Sequence, residues 1–93
     1  MAVTIRIPTA LRKLAGGLDK VQVEASSVRE ALAALGAAHP ALAAQLLDDA
    51  GNLRSFVNLF ANEDSIRELN GLDTALRSGD DLSIVPAIAG GRG

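Results

Sequence analysis

The chain contains no cysteine, tryptophan or tyrosine among its 93 residues, and only two phenylalanines and one histidine. Without cysteine there is no disulfide scaffold, no thiolate metal site and no cysteine nucleophile. His39 stands alone, without the several carboxylates at short spacing that a metal would need, so neither a metal site nor a catalytic role is assigned to it. Charge of one sign is scarce too: nine Lys and Arg residues against eleven Asp and Glu give a net charge of −2, with the two signs interspersed. No basic stripe is present to track phosphates, which excludes nucleic acid as a partner. No run approaches the roughly 20 apolar residues of a membrane span. The amino terminus also lacks the apolar stretch of a secretory leader. The expectation is a cytoplasmic protein with no membrane partner. Gly16-Gly17 is not followed by G-x-x-x-x-G-K and is no phosphate loop.

What the chain does have is aliphatic: 48% of its residues are hydrophobic, nearly all of them Ala, Val, Leu and Ile. That suits one small domain with a compact core. Val3, Ile5 and Ile7 alternate with Thr4 and Arg6 up to Pro8, which predicts a half-buried strand. After a turn at Gly16-Gly17, Leu18 to Glu24 predicts a second strand, and the two imply an opening hairpin with a long, irregular loop. Ser27 and Glu30 have the spacing of a capping box. Behind them Val28, Ala31, Leu32 and Leu35 fall on one helical face, and Gly36 is a candidate stop. Pro40 can open a second short helix carrying Leu42 and Leu46. Asp48-Asp49-Ala50-Gly51-Asn52 reads as a loop. Phe56 to Phe60 predicts a third strand ending at a turn over Asn62-Glu63-Asp64. Ile66 to Leu69 predicts a weak fourth strand, Leu72 to Leu76 a helical turn, and Leu82 to Pro86 the last strand. The acidic pairs Asp48-Asp49 and Asp80-Asp81 both sit in turn signals, where carboxylates bond local backbone. This order predicts an α+β fold, a mixed sheet folded over one main helix: the β-grasp arrangement.

The last strand runs into Ala87-Ile88-Ala89-Gly90-Gly91, followed by Arg92-Gly93. Pro86 cannot donate to a ladder and directs the chain out of the sheet. Two glycines without Cβ atoms let a tail pass through a narrow channel. The plainer alternative is a frayed, glycine-rich end. Residues 1–89 are assigned to the domain and the start of its tail, and residues 90–93 to the diglycine with its Arg-Gly extension.

The stretch from Leu72 through Ala75, Gly79-Asp80 and Leu82-Ser83-Ile84-Val85-Pro86 to Gly90-Gly91 resembles the ending of the ThiS/MoaD family of ubiquitin-like sulfur carriers. Phe56-Val57-Asn58 and Pro86-Ala87-Ile88-Ala89-Gly90-Gly91 are most similar to the CysO-like carriers of cysteine biosynthesis. The resemblance implies a carrier that is not itself an enzyme and binds no cofactor. An adenylating partner of the MoeB/ThiF, ubiquitin-activating type would use ATP to activate the Gly91 carboxylate. A sulfur donor would then displace AMP, and the resulting thiocarboxylate would serve a sulfur-accepting biosynthetic enzyme making cysteine, a cofactor or a specialised metabolite. Ala89 and Gly90 would form the tail. Arg92-Gly93 departs from the family pattern, because with it present Gly91 ends in an amide. The extension is then a precursor segment cut between Gly91 and Arg92 by a metal-dependent JAMM-type peptidase, an addition foreign to the natural chain, or a sign of lost carrier function. Two other functions stay open: a protein modifier conjugated through Gly91 to lysine, and a non-reactive β-grasp binding module or enzyme subunit.

Strand parity supplies the second candidate site. If Val57, Leu59 and Ala61 point inward, Phe56, Asn58 and Phe60 share the opposite face. On the last strand Leu82 and Ile84 would point inward and Val85 outward. Phe56, Asn58, Phe60 and Val85 are therefore a candidate partner-docking surface, apolar with a polar centre. The alternative places one or both phenylalanines in the core beneath the second helix.

Overall fold

The computed structural model describes residues 2–86. Five strands form one mixed sheet: β1 Ala2–Arg6, β2 Lys20–Glu24, β3 Val57–Ala61, β4 Asp64–Ser65 and β5 Asp81–Pro86, in the order β2-β1-β5-β3-β4. The central pair, β1 and β5, is parallel, and the other pairings are antiparallel. Helices α1 (Val28–Ala38) and α2 (Pro40–Leu46) complete the layer opposite. This is the expected mixed sheet over one main helix.

Period-two alternation aims Val3 and Ile5 of β1, Val57 and Leu59 of β3, and Leu82 and Ile84 of β5 at α1, and all six are buried. From the other side α1 presents Val28, Ala31, Leu32 and Leu35, one stripe at helical spacing, and α2 adds Leu42 and Leu46. The core contains no aromatic side chain.

The start of α1 differs in detail from a capping box. Ser27 Oγ accepts from the Glu30 N–H at 3.2 Å, as expected. The Glu30 carboxylate reaches one residue further back than the box requires, accepting from Ser26 N–H at 2.9 Å and Ser26 Oγ at 2.8 Å. Those two bonds, the backbone one foremost, hold its carboxyl below the usual range. The cap therefore persists above that lowered pKa and is lost as pH falls through it.

Several expected boundaries move, each for a local reason. Gly36 does not stop α1. The helix continues to Ala38, and a Cβ at Gly36 would sit 3.2 Å from that of Ala43, so the glycine serves close packing of α1 on α2. The true stop is Pro40, which excludes its predecessor His39 from helical geometry (φ −137°, ψ 74°). The His39 backbone N–H donates to the Leu35 carbonyl at 2.7 Å. The loop between β1 and β2 is no irregular connection but a 3-10 helix, Thr9–Ala15, closed by Gly16 in the left-handed region at φ 67°. Its Ala15 is buried, and Leu11 and Leu14 pack beside it. The third strand is shifted by one residue, leaving Phe56 in the turn before it.

The fourth strand is a larger correction. Ile66 to Leu69 is not extended: β4 is only Asp64–Ser65, and Ile66–Glu68 is a 3-10 helix. The Ser65 hydroxyl accepts from the Arg67 N–H at 3.3 Å and turns the chain, which drops Ile66 into the core. Apolar residues three apart suit a turn and not a strand. The helical turn expected over Leu72 to Leu76 is a 3-10 helix over Gly71–Asp73, followed by Thr74, whose hydroxyl bonds the Gly71 carbonyl at 2.7 Å.

The first carboxylate of each acidic pair bonds local backbone, as expected. Asp48 Oδ1 accepts from the N–H groups of Ala50 and Asn52 at 2.9 and 3.0 Å. Asp80 accepts from the Arg77 N–H at 2.8 Å, in a turn where Gly79 holds φ 89°. Asp81 pairs with Arg6 across the sheet surface at 3.3 Å, an exposed ion pair of little energetic weight.

Candidate functional site

The outer face of the sheet, away from α1, carries the candidate docking residues. On β3 the buried positions are Val57, Leu59 and Ala61, so Asn58 and Phe60 point outward. On β5 Leu82 and Ile84 are buried, and Val85 is 44% exposed. Register brings these residues together: Asn58 lies opposite Val85, and Phe60 lies between Ser83 of β5 and Ser65 of β4. Phe60 is half-buried and has no part in the core cluster. Phe56, two residues before Asn58, is 47% exposed in the turn that Val57 N–H closes onto the Arg54 carbonyl at 3.0 Å. The placement of either phenylalanine beneath α2 is thereby excluded.

Asn58 is more than a polar centre. Because β4 has only two residues, most of the outer edge of β3 has no strand beside it, yet its backbone groups still need partners. Asn58 Oδ1 accepts from the Leu59 N–H at 2.9 Å, and its Nδ2 donates to Ser65 Oγ at 2.9 Å. Arg67 Nη2 donates to the Val57 carbonyl at 2.6 Å. Two side chains, Asn58 braced by Ser65 and Arg67, thus do for β3 what a longer β4 would have done, and they stiffen the strand beneath Phe60. Parity alone cannot find Arg67. Its signal is the shortness of β4, which the expected strand over Ile66 to Leu69 hides.

The tail begins beside this face. Pro86, the last residue of β5, stands opposite Val57, the first of β3. Its nitrogen faces the β1 side, where the ladder has already ended at Arg6–Ser83, so the missing N–H breaks no bond. Ala89, Gly90, Gly91 and Arg92 lie outside the described residues. Among the described residues no group of three or more His, Asp or Glu side chains is placed to hold a metal ion. No helix there is long and apolar enough to cross a membrane.

The ThiS family profile matches residues 5–91, and Arg92 and Gly93 fall outside the match. Sulfur carrier protein CysO of Mycobacterium tuberculosis is 37% identical over 93 residues, covering 98% of this chain and all of the relative. A putative sulfur carrier protein of Archaeoglobus fulgidus is 34% identical over 91 residues, with the same 98% and 100% coverage. Among solved structures, a chain of the Amycolatopsis orientalis BexX/CysO complex superposes with TM-score 0.88 at 34% identity, covering 95% of this chain and 98% of that one. Small archaeal modifier proteins of Haloferax volcanii are also similar; the third is 36% identical over 66 residues, 71% of each chain. The chain belongs to the ThiS family, small ubiquitin-like β-grasp sulfur carriers of the CysO type and not enzymes.

Proposed function

We propose that this protein carries sulfur on the carboxyl carbon of Gly91, exposed when Arg92-Gly93 is removed. The carboxylate attacks the α-phosphorus of ATP in the active site of an adenylating partner, and pyrophosphate leaves. A sulfur nucleophile at the sulfide level then attacks the acyl carbon and AMP leaves, giving the thiocarboxylate. The partner supplies the catalytic groups and this chain supplies the reacting end. The observation that carries the reading is the junction of two features: the outward residues Val85 and Asn58 flank the end of β5, and the family match stops at Gly91. The five residues that follow Pro86, ending at Gly91, reach at most about 18 Å. A partner gripping Phe56, Asn58, Phe60 and Val85 can therefore hold its nucleotide site within that distance.

The test is the intact mass of the protein recovered from its native cells. A chain ending at Gly91, with one oxygen replaced by sulfur, is expected; a chain only ever found ending at Gly93 overturns the proposal. A second reading, conjugation of Gly91 to lysine on other proteins, draws support from the similarity to the archaeal modifier proteins. It predicts ladders of higher mass in the same extract.

Gly90 supplies a further expectation. In chains ending at Gly91, Gly90→Ala should leave the melting temperature unchanged, since chain ends contribute little to stability. A methyl group in a channel shaped for backbone displaces the carboxylate, and a misplacement near 1 Å costs about 100-fold in rate. ATP–pyrophosphate exchange across carrier concentrations should therefore show a fall in kcat with KM little changed.

A further inference from the structure

Phe56 is the one candidate docking residue that lies outside every strand and helix. It occupies the third position of the turn Arg54–Val57, whose single internal bond runs from Val57 N–H to the Arg54 carbonyl at 3.0 Å. One such bond is a weak hold for a half-exposed aromatic side chain. Two arginines reinforce it. Arg54 ties the start of the turn to α2: its N–H donates to the Leu46 carbonyl at 2.9 Å and its Nε to the Ala44 carbonyl at 3.2 Å. Arg67 comes from the opposite side. Its Nη2 donates to the Val57 carbonyl at 2.6 Å, with a longer contact to the Arg54 carbonyl at 3.5 Å, so one nitrogen bridges both ends of the turn. The base of Arg67 is itself fixed, because Ser65 caps its 3-10 helix and the preceding residue, Ile66, is buried.

The β3–β5 ladder cannot supply this hold. Val57 N–H and carbonyl are both engaged on the side away from β5, and Pro86 opposite has no N–H to offer. By alternation, Asn58 and Phe60 are the residues whose backbone groups face β5.

We propose that Arg67 is a positioning residue for partner binding: by bridging the ends of the Arg54–Val57 turn it holds Phe56 ready for the adenylating enzyme. This role rests on the carrier reading above, in which that enzyme grips Phe56. A turn set in advance spares the partner the entropy of ordering it, so loss of the bridge weakens binding. The chemical step is spared, because the tail leaves from β5, which Asn58 and Phe60 still hold.

Arg67→Ala tests the two halves separately. Hydrogen exchange of the full chain needs no partner. The Val57 amide should exchange about tenfold faster in the variant, while the Phe60 amide is little changed. No acceleration at Val57 overturns the proposal, and so does equal acceleration at both, which marks a loss of global stability only. In chains ending at Gly91, ATP–pyrophosphate exchange should show a KM for the carrier about fivefold higher, with kcat nearly unchanged. In a Phe56→Ala background the same change should add nothing to KM, since the group being positioned is gone. An undiminished effect there would make Arg67 a direct contact of the partner and overturn the positioning role. Arg67→Lys keeps the charge and the stem but not the planar fork. It should raise KM by less than Arg67→Ala does, and it carries the test if Arg67→Ala does not fold. A parent KM in every folded Arg67 variant overturns the proposal. A parent chain ending at Gly91 that is not activated at all refutes the carrier reading and the docking role with it, a result distinct from any change at the Val57 amide.

Discussion

Phe60→Asp should leave the domain folded and abolish its activation by the adenylating partner, whereas the same change at the preceding residue, Leu59, should unfold it. The two residues are neighbours on β3 with opposite surroundings. Leu59 is fully buried between the sheet and α1, and an aspartate there has no partner for its charge. Burying an unpaired carboxylate costs several kcal/mol even after relaxation. A domain of this size has only about 5–15 kcal/mol of stability in total. Phe60 lies between Ser83 and Ser65 on the outer face, where a carboxylate can stay hydrated. Losing a half-buried aromatic side chain from a strand costs about 1 kcal/mol, well short of unfolding the domain. In the complex, a central aromatic residue of an interface is worth about 2 kcal/mol or more, a fall of about 30-fold or greater in kcat/KM. Urea denaturation followed by circular dichroism reads the first quantity, and ATP–pyrophosphate exchange the second. A Phe60→Asp chain that is folded and fully activated removes Phe60 from the interface; one that unfolds contradicts its placement outside the core.

The parts of this molecule that were legible in its sequence are those governed by strict periodicity. Alternation in β1, β3 and β5 predicts the inward and outward faces correctly, Val85 and Phe60 among them, whereas Phe56 lies in the turn before β3. The stripe of α1 and the Ser27 cap were equally plain. What escaped the reading was governed by contacts distant in sequence or by competing local signals. Gly36 looks like a helix stop until Ala43 is seen against it, and the proline at position 40 was the stronger signal. Leu11, Leu14 and Ala15 carry helical spacing, but the stronger local signal is the Gly16-Gly17 turn that closes their 3-10 helix. Ile66 to Leu69 predicts a weak strand, although its apolar residues are three apart and Ser65 turns the chain before them. That error concealed the short β4, and with it the reason that Asn58 and Arg67 hold the edge of β3. Parity predicted the outward placement of the candidate docking residues; it could not show that Asn58 is itself part of the scaffold.

The central claim, that the working group is the carboxylate of Gly91, makes a nearly all-or-none prediction. A carboxylate oxygen attacks the α-phosphorus of ATP, but an amide carbonyl at the same residue has no ionised oxygen to do so. While Arg92 is attached, the Gly91 carbonyl is an amide. The carboxylate of Gly93 lies two residues, about 7 Å, further along an extended chain, well beyond the 1 Å misplacement that already costs about 100-fold. Exchange of labelled pyrophosphate into ATP by the cognate adenylating enzyme, measured with the full-length chain and with a chain ending at Gly91, compares the two termini directly. The shorter chain should support exchange at the full rate. The longer chain should support none above background until a peptidase has removed Arg92-Gly93. Equal exchange with both chains would contradict the account.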